Sequence, residues 1–362
     1  MKTRVFTGLI KRLWLCISLT TFTLAGVSAT QSVADTGVPE LNFLTWSEYI
    51  DPAVVAEFEQ QFHAKINFTY FEDDDERDAI LVKSSGGGFD LAVVNGVQVN
   101  AYQRHGWLAH LDNKDIPNLK YIDEKWIKAI ERAPGYGVPY FWGTLGIAYR
   151  KDLIKEPITR WSQLFHPTEA MREKIIMLGV SRDVVGMALK SLSYSANTMD
   201  PKAVDAVNTL LKAQKPYVKS YSYMTLDEKS PLVTGEAVIA MAFSGDALTL
   251  KEHNDNIEYV LPEEGGNLWV DYLTVFNTSQ RKNLAAQFIN FINEPANAAR
   301  IASFVNYATP NLAAEKRMPK DFLENRVIYP SQAQIDKSEF DAELPPRLIK
   351  KRNQIMAEIR HH

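Results

Sequence analysis

Short apolar segments that predict strands alternate with segments of helical periodicity along most of the chain, and this alternation constrains the fold more than any other feature. After the first apolar segment, Asp51 and Pro52 are typical of a helix start, with aspartate as the cap and proline in the first turn. Val54, Val55 and Phe58 then fall on one helical face. The predicted strands cover residues 41–46, 66–70, 90–94 and 238–243, and the predicted helices include 75–83 and 283–292.

This alternation predicts an α/β fold with mainly parallel sheets flanked by helices. About 330 residues after an N-terminal leader exceed one ordinary hydrophobic core, which favours two lobes. The sequence has no long Gly/Ser or Pro linker, so we expect tight crossings between the lobes. Ligands of open α/β sheets bind beyond the carboxyl ends of the strands. Trp46, Asn95 and Phe243 stand at such ends and are expected to face one cleft.

The N-terminal residues 1–29 predict a secretory signal peptide. Four basic residues precede an apolar stretch that is too short to span a membrane comfortably, and Ala29 ends a small-residue cleavage site. The single cysteine, Cys16, lies inside this leader, so the mature chain needs no disulfide. No later stretch reaches the 18 or so apolar residues of a membrane helix. We therefore expect an exported, soluble protein of the periplasm.

The charge balance narrows the choice of partner. The leader has four basic and no acidic residues, which leaves 36 basic against 44 acidic residues, a net charge of −8, in the mature chain. Nucleic acid is not expected as a partner, because phosphate contacts need a basic stripe. An acidic protein attracts cationic ligands instead.

Two distant segments combine aromatic residues with a carboxylate. Trp46 and Tyr49 flank Glu48 in one, and Trp269 precedes Asp271 by two residues in the other. Aromatic faces attract desolvated cations, and a carboxylate neutralises them. The pairing predicts a pocket for an organic ammonium compound.

Four blocks make the chain similar to the periplasmic spermidine/putrescine-binding proteins. They occur in that family's order and at nearly its spacing: residues 45–49 (TWSEY), 140–143 (YFWG), 265–271 (GGNLWVD) and 307–314 (YATPNLAA). The resemblance extends over nearly all of the mature chain, from about residue 41 to about residue 360.

The resemblance implies a two-lobe periplasmic binding-protein fold of type II, with the ligand between lobes that close over it. The N-terminal lobe is expected to comprise residues 38–144 and 270–315, and the C-terminal lobe residues 145–269 and 316–360. It also implies a monomeric, non-enzymatic receptor without a cofactor. The expected partner is an inner-membrane ABC permease or the periplasmic domain of a membrane sensor that controls cyclic-di-GMP signalling and biofilm formation.

The resemblance assigns roles to individual positions. Aromatic and polar walls correspond to Trp46, Ser47, Tyr49, Trp269 and Tyr307. Asp271 corresponds to the carboxylate for an inner amine, Asp183 stands where the family has a glutamate for a terminal amine, and Asp246 matches an aspartate of the putrescine-binding branch. At other positions the chain departs from the spermidine binders, with Asn95 for a serine, Val97 for a tyrosine, Val180 for an aspartate, Phe243 for a tryptophan and Asp341 near a glutamine.

Four candidate carboxylates exceed the need of a diamine, so we expect a triamine, spermidine or norspermidine. A putrescine-type diamine uptake receptor and, more remotely, a carbohydrate-active enzyme with paired carboxylates stay open. The acidic run 72–76 is typical of a solvated helix start. No metal is expected, because the histidines form no helical His-x-x-x-His pair and the Tyr221/Tyr223 pair indicates iron only weakly.

Overall fold

The computed structural model describes residues 37–130 and 133–360. The predicted signal peptide, residues 1–29, lies outside the described residues. The described residues from Val38 onward form one compact unit. In its described part no helix combines the length and the apolar character needed to cross a membrane.

The strands of the described residues belong to one hydrogen-bonded sheet with the order β2-β1-β3-β9-β4-β7-β5-β6, and β8 also pairs with β4. They are β1 (Glu40–Trp46), β2 (Lys65–Phe71), β3 (Leu91–Asn95), β4 (Val138–Arg150), β5 (Ile175–Met177), β6 (Val218–Tyr221), β7 (Ile239–Phe243), β8 (Ile257–Val260) and β9 (Asn267–Val275).

Helices follow most of these strands and cover the sheet. They are α1 (Pro52–Phe62), α2 (Asp74–Lys83), α3 (Gly96–Arg104), α4 (Glu124–Lys128), α5 (Ser162–Phe165), α6 (Ser181–Ser191), α7 (Pro201–Gln214), α8 (Pro231–Thr234), α9 (Ser244–His253), α10 (Lys282–Ile292), α11 (Pro295–Val305), α12 (Leu312–Glu315), α13 (Lys320–Glu324), α14 (Gln332–Ile335) and α15 (Pro346–Arg360).

Local signals account for the elements predicted from the sequence, all of which are confirmed to within about a residue at each end. Asp51 caps α1 by accepting a hydrogen bond from the amide of Ala53, and Pro52 occupies the first turn. Asp73 caps α2 in the same way through the amide of Glu76. Val54, Val55 and Phe58 are the buried residues of α1, as the helical spacing predicts.

The sheet is mixed rather than mainly parallel. Strands β1, β2 and β3 pair in parallel, as do β5, β6 and β7. Between these two sets run β4 and β9, which pair antiparallel with each other and with their other neighbours. The two expected sheets are therefore joined into one by the crossing strands.

The hydrophobic core divides along β4. The first half of strand β4, from Val138 to Leu145, pairs with β9. The second half of β4, from Leu145 to Arg150, pairs with β7 and β8. Two clusters of buried hydrophobic residues consist of residues before Leu145 and residues after about 268. The two other clusters consist of residues from Leu145 to Ile257 together with residues of α15. This arrangement fits the type II two-lobe architecture.

The lobe boundaries stay a prediction, and the core clusters differ from them near the C-terminus. Met318 and Ile328 belong to the clusters of the first half, whereas Ile355 and Ile359 belong to those of the second. We propose that the N-terminal lobe continues beyond residue 315 to about α14, and that the chain crosses to the other lobe between α14 and α15.

Candidate functional site

Two buried aspartates lie where the two halves of the core meet. Asp271 is in the middle of β9, and Asp246 is in the first turn of α9, directly after β7. Their exposed fractions are 9% and 7%. Such burial is costly for a carboxylate unless donors or a counter-charge accompany it.

Tyrosine hydroxyls provide donors to both carboxylates. The hydroxyl of Tyr49 donates to Oδ2 of Asp271 at 2.9 Å. The hydroxyls of Tyr307 and Tyr223 donate to the two carboxylate oxygens of Asp246, each at 2.7 Å. The Tyr307 bond joins the first half of the molecule to α9 of the second half. We call Asp246, Asp271, Tyr49, Tyr223, Tyr307 and Trp269 the inner site.

Aromatic rings enclose these carboxylates. The ring of Tyr307 lies edge-on to those of Trp269 and Tyr49, with centroid distances of 4.8 and 6.0 Å. Phe243 packs edge-on to Trp269 at 6.1 Å. Trp46, at the end of β1, lies close enough to Asp271 to lower the pKa of that carboxyl group. The faces and edges of these rings form an apolar surface that could pack against the methylene groups of a ligand.

Two glycines allow the rings to approach the backbone. A Cβ atom at Gly143 would lie 2.6 Å from the ring of Trp269, and one at Gly245 would lie 2.6 Å from the ring of Tyr307. Neither ring could keep its position beside a larger residue. Both glycines therefore serve the shape of the inner site.

Burial shifts the protonation of both aspartates. It raises the pKa of Asp271 to about 7, with the charge of Asp74 adding to the effect and the Tyr49 hydrogen bond opposing it. Burial also raises the pKa of Asp246 to about 6, against the hydrogen bonds from Tyr223 and Tyr307. Neither carboxylate forms an ion pair with a lysine or arginine of the described residues. An incoming cation is the missing partner that would favour their ionised forms.

A second group of carboxylates lies towards solvent, and we call Asp74, Asp183, Asp341, Arg77, Arg182 and Arg352 the outer cluster. Asp183 is in the first turn of α6, and its pKa is raised well above the usual range by burial and then by the charges of Asp341 and Asp74. Burial raises the pKa of Asp341, and the positive charge of Arg182 acts in the opposite direction. The same Asp74 charge acts on Asp271, so the outer cluster adjoins the inner site.

Arginines accompany the outer carboxylates. Arg77 is fully buried and forms ion pairs with Asp74 and Asp78. Nη1 of Arg182 lies 3.8 Å from Oδ1 of Asp341, with both side chains about one quarter exposed. The outer cluster thus contains cations of its own, unlike the inner site.

The structure brings most of the residues predicted for the site together, but not all in the expected role. Trp46, Tyr49, Phe243, Asp246, Trp269, Asp271 and Tyr307 meet around the inner site, whereas Ser47 is exposed in the turn after β1. Asn95 caps α3 through the amide of Gln98 and donates to Oδ2 of Asp74 at 2.6 Å. Asn95 therefore positions Asp74.

Sequence reasoning missed three residues. Tyr223 stands in a loop without periodicity, and only its hydrogen bond to Asp246 reveals it. The acidic run around Asp74 predicts a solvated helix start, whereas the structure pairs Asp74 with Arg77 and Asn95. Arg182 carried no signal, because its partner Asp341 is distant in the sequence.

Comparison with known proteins identifies the class. The model of the bacterial extracellular solute-binding proteins matches residues 53–326. The structure of a putative spermidine/putrescine ABC transporter from Listeria monocytogenes superposes with a TM-score of 0.81 at 32% identity, covering 89% of this chain and 99% of that one. A substrate-binding protein of a spermidine/putrescine ABC transporter from Streptococcus pneumoniae has a TM-score of 0.77 at 27% identity, covering 89% and 98%. The fold is thus that of the two-lobe binding proteins.

Curated relatives agree. The spermidine/putrescine-binding periplasmic protein of Salmonella typhimurium is 30% identical over 83% of this chain and 86% of its own length. The norspermidine sensor of Vibrio cholerae is 30% identical over 88% of each chain. This protein belongs to the bacterial extracellular solute-binding protein family.

Proposed function

We propose that this chain is an exported periplasmic receptor that binds a triamine, spermidine or norspermidine, as a monomer and presents it to a membrane partner. The observation that carries the proposal is the inner site, where two buried aspartates have tyrosine donors but form no ion pair among the described residues. Ammonium groups are the charges that would neutralise them. Similarity to polyamine-binding relatives supports the same choice.

The chemistry of a linear polyamine fits the inner site. Its ammonium groups would pair with Asp246 and Asp271 at a distance from water, where each charge pair counts for more. Its methylenes would lie against Trp269, Tyr307 and Phe243. Each buried methylene contributes about 0.8 kcal/mol and each cation–π contact roughly 0.5–2 kcal/mol.

The third ammonium would lie towards Asp183, which is half-buried and forms no ion pair among the residues that the structure describes. A diamine would occupy the inner site alone and leave Asp183 without a partner. This difference favours a triamine over putrescine.

Calorimetric titration with putrescine, norspermidine, spermidine and spermine tests the ligand class. We expect the two triamines to bind most tightly, and tightest binding of putrescine would favour the diamine receptor instead. Mass spectrometry of the small molecule released from the native protein is an independent check. Recovery of that ligand chemically unchanged after long incubation with the protein would argue against an enzyme such as a carbohydrate hydrolase.

Delivery to an ABC permease and presentation to a membrane sensor are both compatible with the site. In either case the ligand stabilises one relative position of the lobes, and the membrane partner binds that form. The relatives include binding proteins of both kinds at about 30% identity. Neighbouring permease and ATPase genes, or uptake of labelled triamine that is lost in a deletion strain, would favour import. Unchanged uptake with altered biofilm formation would favour sensing.

A further inference from the structure

The outer cluster already contains the counter-charges that the inner site lacks. Arg77 pairs with Asp74, and Arg182 lies beside Asp341. Arg352 is a third arginine whose charge acts on Asp341 and on Arg182. The third ammonium of a triamine at Asp183 would therefore meet cations as well as carboxylates, so it contributes less to binding than the ammonium groups in the inner site.

The outer cluster also contains a hydrogen-bond donor that has no acceptor among the described residues. Arg352 is 2% exposed and donates from Nη2 to the carbonyl of Ala196 at 2.8 Å. Its Nε atom is buried and has no acceptor among the described residues. A buried donor without a partner is destabilising until an acceptor reaches it. An ammonium cannot serve, because it has donors and no acceptor.

Asp183 adds to this donor character. Burial and the charges of Asp341 and Asp74 raise its pKa well above the usual range, which favours the neutral acid in the absence of a cation. A protonated carboxyl group donates one hydrogen bond. Arg182 and Asp341 are each about one quarter exposed, so these two side chains reach solvent, unlike the buried Asp246 and Asp271.

We propose that the outer cluster accepts an uncharged, hydrogen-bond-accepting terminus, so that this receptor binds polyamines acylated at one end as well as free polyamines. The inference rests on the proposed function, because the other end of the ligand must still bring an ammonium to Asp246 and Asp271. An amide carbonyl would accept from the guanidinium of Arg182 or from the acid of Asp183.

Titration with norspermidine, its monoacetyl derivative and its diacetyl derivative tests the inference. Norspermidine is symmetric, so the monoacetyl form always keeps one primary ammonium for the inner site. We expect the monoacetyl form to bind within about tenfold of norspermidine, the range of one hydrogen bond. The diacetyl form should bind about a hundredfold more weakly or worse, because a buried carboxylate then lacks its primary ammonium.

The variant Arg182→Gln distinguishes a specific role of Arg182 in binding the acylated terminus from a general loss of binding. We expect about tenfold weaker binding of the monoacetyl form and about threefold tighter binding of free norspermidine, because a donor and a nearby cation are both lost. Arg172→Gln, at an exposed arginine paired with Glu169, is the matched control and should change neither.

Equal weakness of the monoacetyl and diacetyl forms beside tight binding of norspermidine would overturn the inference and leave the proposed function intact. Equal weakening of both ligands by Arg182→Gln would also overturn it. If neither norspermidine nor spermidine binds at all, the proposed function itself is wrong.

Discussion

The inner site and the outer cluster contain similar numbers of aspartates, yet their surroundings differ. Asp246 and Asp271 are almost fully buried and are held by tyrosine hydroxyls. Asp74 and Asp341 have arginines as neighbours and are partly open to solvent. The number of carboxylates near a binding site is therefore not the number of ammonium groups that the site requires, because arginines of the protein itself neutralise some of the carboxylates.

The largest effect that we expect is a difference in triamine affinity between a variant of the inner site and a variant of the outer cluster. Asp271→Ala should weaken triamine binding by about two to three orders of magnitude, because an ammonium is left buried without its partner. Asp341→Ala, its counterpart in the outer cluster, should weaken binding by less than about tenfold. Calorimetry of both variants gives the ratio. Similar losses in the two variants would remove the distinction between the regions.

Removal of the Asp271 charge should weaken ligand binding but should stabilise the ligand-free protein against unfolding. The pKa of Asp271 is about 7 in the folded state against 3.8 for the ordinary group, so its favourable contribution is complete below pH 3.8 and is lost as the pH rises to 7. Asp271→Asn should therefore stabilise the ligand-free protein by up to about 4 kcal/mol at pH 8. Denaturant unfolding at several pH values measures this.

The stabilisation should shrink towards zero near pH 4, where wild-type Asp271 is protonated. A constant difference between the two proteins across this range would mean that the charge of Asp271 is not the cause.

The affinity for a triamine should fall as the pH falls. A ligand ammonium binds the ionised carboxylates, and below about pH 7 for Asp271 and about pH 6 for Asp246 these must first lose a proton. Amine pKa values near 10 keep the ligand charged throughout. Between pH 7 and pH 5 we expect roughly a fiftyfold loss from Asp271 alone, measured by calorimetry in several buffers.

Asp271→Asn should flatten most of this pH profile, and Asp183→Asn in the outer cluster should flatten it less. An equally steep profile in Asp271→Asn would assign the titration to another group.

The aromatic wall should have the smallest effect. Trp269→Leu removes a ring face but leaves every carboxylate in place, so binding should weaken by about three- to thirtyfold. Phe304→Leu, an exposed ring on α11, is the control and should change nothing measurable. A loss with Trp269→Leu that exceeds the loss with Asp271→Ala would make packing, rather than charge, the main source of affinity.

Much of the architecture could be predicted from local patterns. Capping residues and apolar periodicity are properties of neighbouring residues, so α1, α2 and α10 begin and end close to where the sequence indicates. The strand ends that carry Trp46, Asn95 and Phe243 were predictable for the same reason. The continuation of the first core to Ile328 was not, because short helices after residue 315 have little periodicity to show which core they join.

The sequence by itself determined the alternation of strands and helices, the resemblance to polyamine-binding proteins and the aromatic and acidic residues of the inner site other than Tyr223. Only the tertiary structure decided which carboxylates have their own cations. Pairs such as Arg182 with Asp341, and donors such as Tyr223 to Asp246, join residues far apart in the chain. Their energies depend on distance and burial, which exist only after the chain has folded.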